Sequence, residues 1–94
     1  MPTINVKKLD KTSFEVTVQD RTPTTHIVSV SQEYAAKLTD GKVSVEQLIS
    51  HSFDFLLQRE PNTSILRKFE LTVIAHYFPE YERVIVGMLH SPIG

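Results

Sequence analysis

Two short stretches of this chain concentrate side chains able to do chemistry. The first is Arg59-Glu-Pro-Asn-Thr-Ser64, which gathers a guanidinium, a carboxylate, a carboxamide and two hydroxyls in one polar turn. Such a set suits an anion or polar ligand held at the start of a helix, where backbone N–H groups lack partners. The same residues also work as helix punctuation. Pro61 disfavours α geometry in the residue before it, and Asn62 or Thr63 can cap the segment that follows. Punctuation accounts for every residue type here, so the turn is read first as structure and second as a site, with Arg59, Asn62 and Thr63 as candidate contacts. The second stretch is Tyr77-Phe-Pro-Glu-Tyr-Glu82, aromatics interleaved with acids. Aromatic side chains dominate interface energetics, which makes Tyr77 and Tyr81 candidate partner contacts. As architecture, the rings close one end of a core and Pro79 sets the exit, with at least one tyrosine hydroxyl near solvent.

Other chemistries lack their residues. His26, His51 and His76 are evenly spaced, but no two histidines lie four positions apart, the spacing that presents two metal ligands on one helix face. Ser52 neighbours His51 and Asp54, yet consecutive helical residues diverge by about 100° and do not converge on a substrate. The chain has no cysteine, which excludes a thiol nucleophile, a thiolate zinc site and a disulfide framework. Its three glycines, Gly41, Gly87 and Gly94, form no phosphate-cradling loop. No catalytic residue, metal ligand or cofactor is assigned, and a protein without enzymatic activity is expected.

The elements that must position these residues follow from periodicity. Ile4 and Val6 alternate with polar residues, and Phe14, Val16 and Val18 do the same in a clean period-two strand. Turns at Asp10–Ser13 and Asp20–Thr24 separate these strands from a third at His26–Val30. Ser31 caps a short helix over Gln32–Leu38, with Gly41 as its left-handed stop. Ser44, with Gln47 three residues on, opens the main helix. Val45, Leu48, Ile49, Ser52, Phe53, Phe55 and Leu56 give that helix one broad apolar stripe. A short helix through Ile65, Leu66 and Phe69 and another over Leu71–Phe78 follow. The expected fold class is α+β: a three-stranded antiparallel β-meander packed against one main helix and two or three short helices. Residues 1–94 form a single domain, with the meander in 1–30, a helical cluster in 31–81, and a strand-like or loose tail in 82–94.

A chain of 94 residues has no room for a second domain, and 40% hydrophobic with 22% charged residues is an ordinary globular composition. The net charge of −1 argues against nucleic acid as the partner. Lys7, Lys8, Lys11 and Arg21 give the first thirty residues only a slight basic excess over Asp10, Glu15 and Asp20. No apolar run has the length of a signal peptide or a membrane span, so a cytoplasmic location and no membrane partner are expected. A protein partner or self-association, such as a homodimer, is expected instead.

Two resemblances bear on function. Val28-Ser-Val-Ser-Gln-Glu-Tyr-Ala-Ala-Lys-Leu38 followed by Ser44-Val-Glu-Gln-Leu-Ile49 resembles the ribbon-helix-helix domain of small bacterial repressors and antitoxins. That likeness, over residues 26–57, implies DNA binding through a two-chain ribbon. Ile27 and Ser29, however, stand where base-reading side chains would be needed. The segment Leu56-Leu-Gln-Arg-Glu-Pro-Asn-Thr-Ser-Ile-Leu66 with Tyr77-Phe-Pro-Glu-Tyr-Glu82 resembles a family of small, conserved bacterial proteins of unknown function. It implies a stand-alone bacterial domain and no particular activity. The expected function is therefore a small cytosolic binding or interaction protein, with a ribbon-helix-helix-like regulator or antitoxin as the alternative.

Overall fold

The computed structural model describes residues 2–90. Its elements run β1 (Thr3–Lys8), β2 (Ser13–Gln19), β3 (Thr24–Ser29), α1 (Gln32–Thr39), α2 (Val45–Leu57), a 3-10 turn (Asn62–Ser64), β4 (Lys68–Glu70), α3 (Thr72–Tyr77) and α4 (Tyr81–Leu89). The sheet order is β1-β2-β3-β4. β1, β2 and β3 form the expected antiparallel meander, with Phe14 opposite both Lys8 and Val28. Phe14, Val16 and Val18 are buried, so the period-two pattern of β2 sets the inner face. The helices cover that face and leave the other open.

The expected count of three antiparallel strands is corrected to a mixed four-stranded sheet, because β4 adds to β3 in parallel. Ile27 N–H donates to the Arg67 carbonyl at 2.7 Å, and Leu71 N–H donates to the Ser29 carbonyl at 2.8 Å. A parallel neighbour requires a long crossover, here supplied by α1 and α2. The short helix expected from Ile65 to Phe69 is therefore a single 3-10 turn followed by a strand. The region 31–81 is correspondingly not all helical.

The main helix forms as its sequence dictates. The Ser44 hydroxyl accepts from Gln47 N–H at 3.1 Å, and the stripe residues Leu48, Ile49, Phe53 and Phe55 have no exposed surface. Ser31 caps α1 by accepting from Tyr34 N–H at 3.0 Å. That helix ends on Asp40 at φ 55°, with Gly41 at φ 68° next to it. Three shorter helices, α1, α3 and α4, accompany the main one. α4 corrects the strand-like or loose reading of residues 82–94. Tyr81 and Ile85 lie four apart and both are buried, which is a helical face and not a pleated one. Residues 91–94 of that expected tail lie outside the described residues.

Candidate functional site

The polar turn after α2 is stitched to the sheet by buried side chains. α2 ends at Leu57, three residues before the Glu60-Pro61 step, and Asn62 turns inward instead of capping a helix. Its amide donates to the Thr22 carbonyl and to the Thr24 hydroxyl, each at 2.8 Å. The Thr24 hydroxyl lies 2.9 Å from Nε2 of His26, and His26 Nδ1 lies 2.8 Å from the Leu66 carbonyl. A carbonyl can only accept, so Nδ1 carries the proton and donates to it. Nε2 bonds the Thr24 hydroxyl, whose oxygen also accepts from Asn62. The chain thus gives its buried polar groups hydrogen-bond partners, as such groups require. His26 is fully enclosed and its ring leans on Phe53 at a centroid distance of 5.4 Å. The segment between Asn62 and Arg67 is thereby held from both ends.

What this pinning displays is an apolar cleft of about 360 Å³. Leu56 of α2 forms part of its wall, with Ile65, Leu66 and Phe69 from the pinned segment and β4. Val73, Ile74, Tyr77 and Phe78 close the side contributed by α3, while Glu60 and Ser64 bring polar atoms to the lining. Ile65, Phe69 and Ile74 are buried, but Leu66 is 49% and Tyr77 66% exposed. Two large side chains therefore stand in water beside an apolar depression, an arrangement that marks interaction surfaces.

The expected contact residues fall into two groups. Tyr77 lines the cleft, and Asn62 holds the segment that forms it. Thr63 is exposed on the 3-10 turn. Arg59 lies apart from the cleft lining. Its guanidinium carbon sits 3.5 Å from the Phe55 ring centroid, Nη1 donates to the Phe55 carbonyl at 3.0 Å, and Nε donates to Glu80 at 3.4 Å. These contacts tie the end of α2 to the start of α4, and the side chain is only 26% exposed. Tyr81 is wholly buried, its hydroxyl 2.6 Å from that of Ser52, and burial pushes its phenol well above the ordinary tyrosine value. The solvent-facing tyrosine is thus Tyr77. Nearby, Tyr34 donates to Glu82 at 2.8 Å, and this bond, with Lys37, holds the Glu82 carboxyl below its usual range.

Sequence reasoning missed most of the cleft: Leu66, Phe69, Val73 and Phe78. One signal was present. Ile65 and Leu66 are consecutive in a polar turn, and adjacent side chains on a non-helical segment rarely both reach one core. A second concavity of about 260 Å³ lies between Thr12, Ser31, Tyr34, Glu70 and Thr72, and two of its hydroxyls are engaged in the fold. Ser31 caps α1 and Tyr34 bonds Glu82.

The open sheet face presents Asn5, Lys7, Glu15, Thr17, Thr25, Ile27 and Lys68, without the aromatic side chains on which nucleic-acid bases stack. β3 lies between β2 and β4, so the two-chain ribbon of a ribbon-helix-helix dimer has no edge on which to form. Among the described residues no three histidine, aspartate or glutamate side chains gather where they could hold a metal ion. No described helix is long and apolar enough to cross a membrane. No family model, curated protein or solved structure matches the chain.

Proposed function

We propose that this chain is a small cytoplasmic, non-enzymatic interaction protein whose cleft takes an apolar side chain of a protein partner. The observation that carries the reading is the pairing of an apolar depression of about 360 Å³ with the exposed side chains of Leu66 and Tyr77. Removing apolar surface from water stabilises a complex by about 25 cal/mol per Å², so these two side chains and the cleft floor supply a driving force that needs no charge pairing. Tyr77 adds an amphipathic ring that loses little rotamer entropy on binding. Glu60 and Ser64 offer acceptors for a partner's backbone N–H groups, which fixes orientation.

The floor is well suited to this role because it does not depend on the partner for its shape. The relay from Asn62 through Thr24 and His26 to the Leu66 carbonyl holds the segment in the free protein. A pre-organised surface avoids part of the ordering cost of association. A photo-reactive residue placed at Leu66 tests the reading in cells. Adducts with a second protein that disappear when Tyr77→Asp is added are the expected result. Adducts that survive this change, or that arise equally from the open sheet face, contradict it.

A further inference from the structure

β4 is an edge strand, and its pairing fixes which of its groups are free. Lys68, Phe69 and Glu70 stand opposite Ile27, Val28 and Ser29 in a parallel register. β3 bonds the Arg67 carbonyl and the Leu71 N–H. Backbone groups alternate in direction along a strand, so N–H and C=O of Phe69 face β3, while those of Lys68 and Glu70 face away from the sheet. Among the described residues the strand order leaves no strand on that side. The side chains sort by the same alternation: Phe69 is buried, and Lys68 and Glu70 are exposed on the open face. Among the described residues neither Lys68 nor Glu70 is in an ion pair.

An open edge can template another strand, and charges such as Lys68 and Glu70 disfavour any partner that does not set opposite charges against them. An antiparallel partner centred on Phe69 needs an acidic residue opposite Lys68, an apolar one opposite Phe69 and a basic one opposite Glu70. Read from N to C terminus, that partner is basic, apolar, acidic. Lys68-Phe69-Glu70 is itself that sequence. We propose that β4 pairs antiparallel with β4 of a second copy of this chain, about a two-fold axis through Phe69.

In this register Lys68 faces the partner's Glu70, and Glu70 faces the partner's Lys68. Both residues carry outward N–H and C=O groups, so each such pair exchanges two backbone hydrogen bonds. Phe69 meets the partner's Phe69 at the non-hydrogen-bonded position, where side chains approach closest. Charge order across the sheet supports the register. The row Lys7, Glu15, Ile27, Lys68 ends on a cation with no acid beside it, and the partner's Glu70 would supply one. β1, the opposite edge, carries Lys7 and Lys8 with no acid and offers a second copy no charge complement. The inference goes beyond the cleft reading and does not depend on which side chain the cleft takes.

Sedimentation equilibrium of the intact chain, over a series reaching millimolar concentration, tests it without any third protein. Wild type is expected to move from the monomer mass of 10.7 kDa towards twice that value. Either single change, Lys68→Glu or Glu70→Lys, sets like charges opposite each other at both symmetric positions and should weaken the dimer by about tenfold. The double swap Lys68→Glu with Glu70→Lys should restore it, because each carboxylate again faces an ammonium. A wild type that stays monomeric throughout overturns the inference. So does a double swap that melts like wild type but fails to dimerise. Either failure leaves the crosslinking result at Leu66 to stand or fall alone.

Discussion

Asn62 and Thr63 are adjacent in one turn and do opposite things. Asn62 is buried, with its amide shared between Thr22 and Thr24, whereas Thr63 is exposed. Asn62→Ala should therefore cost about 1–3 kcal/mol, the penalty for stranding buried polar partners. Thr63→Ala should stay within about 0.5 kcal/mol, as surface changes do. Urea titrations of the two variants check the difference, and equal losses would mean the relay below the cleft does not hold it. Tyr81 makes a pH-dependent prediction. Burial first, with the nearby Glu82 adding to it and the Ser52 bond opposing it, raises the phenol above its ordinary 10.0. A folded-state value above the unfolded one means the contribution is intact below pH 10.0 and declines as the unfolded tyrosine ionises above it. Stability should fall in that alkaline range, and Tyr81→Phe, although weaker at neutral pH, should lose Tyr81's share of the slope and keep that of Tyr34, whose phenol is also raised by burial and by Glu82.

At the scale of elements, the sequence was legible where one local signal decided the outcome. The period-two pattern of Phe14, Val16 and Val18, the caps at Ser31 and Ser44, and the apolar stripe of α2 all appear in the folded chain as read. β4 was not legible, because a strand of three residues has no period of its own and exists through bonds to β3, 41 residues earlier. α4 was misread because Val84, Ile85 and Val86 are β-branched, and tertiary burial of Tyr81 and Ile85 overrides that local preference. Of the expected contact residues, Tyr77, singled out by its aromatic context, lines the cleft, while Arg59 and Tyr81 serve packing. The hydrogen bonds of His26 to Thr24 and Leu66 carry no sequence signature. Gly87 tests the helical assignment directly. It sits within α4 with nothing inside 4 Å of the position its Cβ would occupy. Gly87→Ala should raise stability by about 0.5–1 kcal/mol, the gain expected in a helix interior. A thermal melt showing clear destabilisation would contradict a helix there.

The whole molecule is a two-layer domain with helices on one face of its sheet and a polar face left open. Its apolar exposure is not spread evenly. Leu66 and Tyr77, the two most exposed large apolar side chains, meet at one cleft, while Leu9 and Val86 lie outside it and the open face carries Ile27 among mostly polar and charged side chains. The proposed function rests on that asymmetry, and a scan of photo-reactive positions in cells tests it most directly. Probes at Leu66 and Tyr77 should yield adducts with a second protein, distinguished by mass from the chain joined to itself. Probes at Thr25 on the open sheet face and Gln47 on the solvent side of α2 should yield none. Adducts concentrated at Thr25 or Gln47, with Leu66 and Tyr77 silent, would contradict the account.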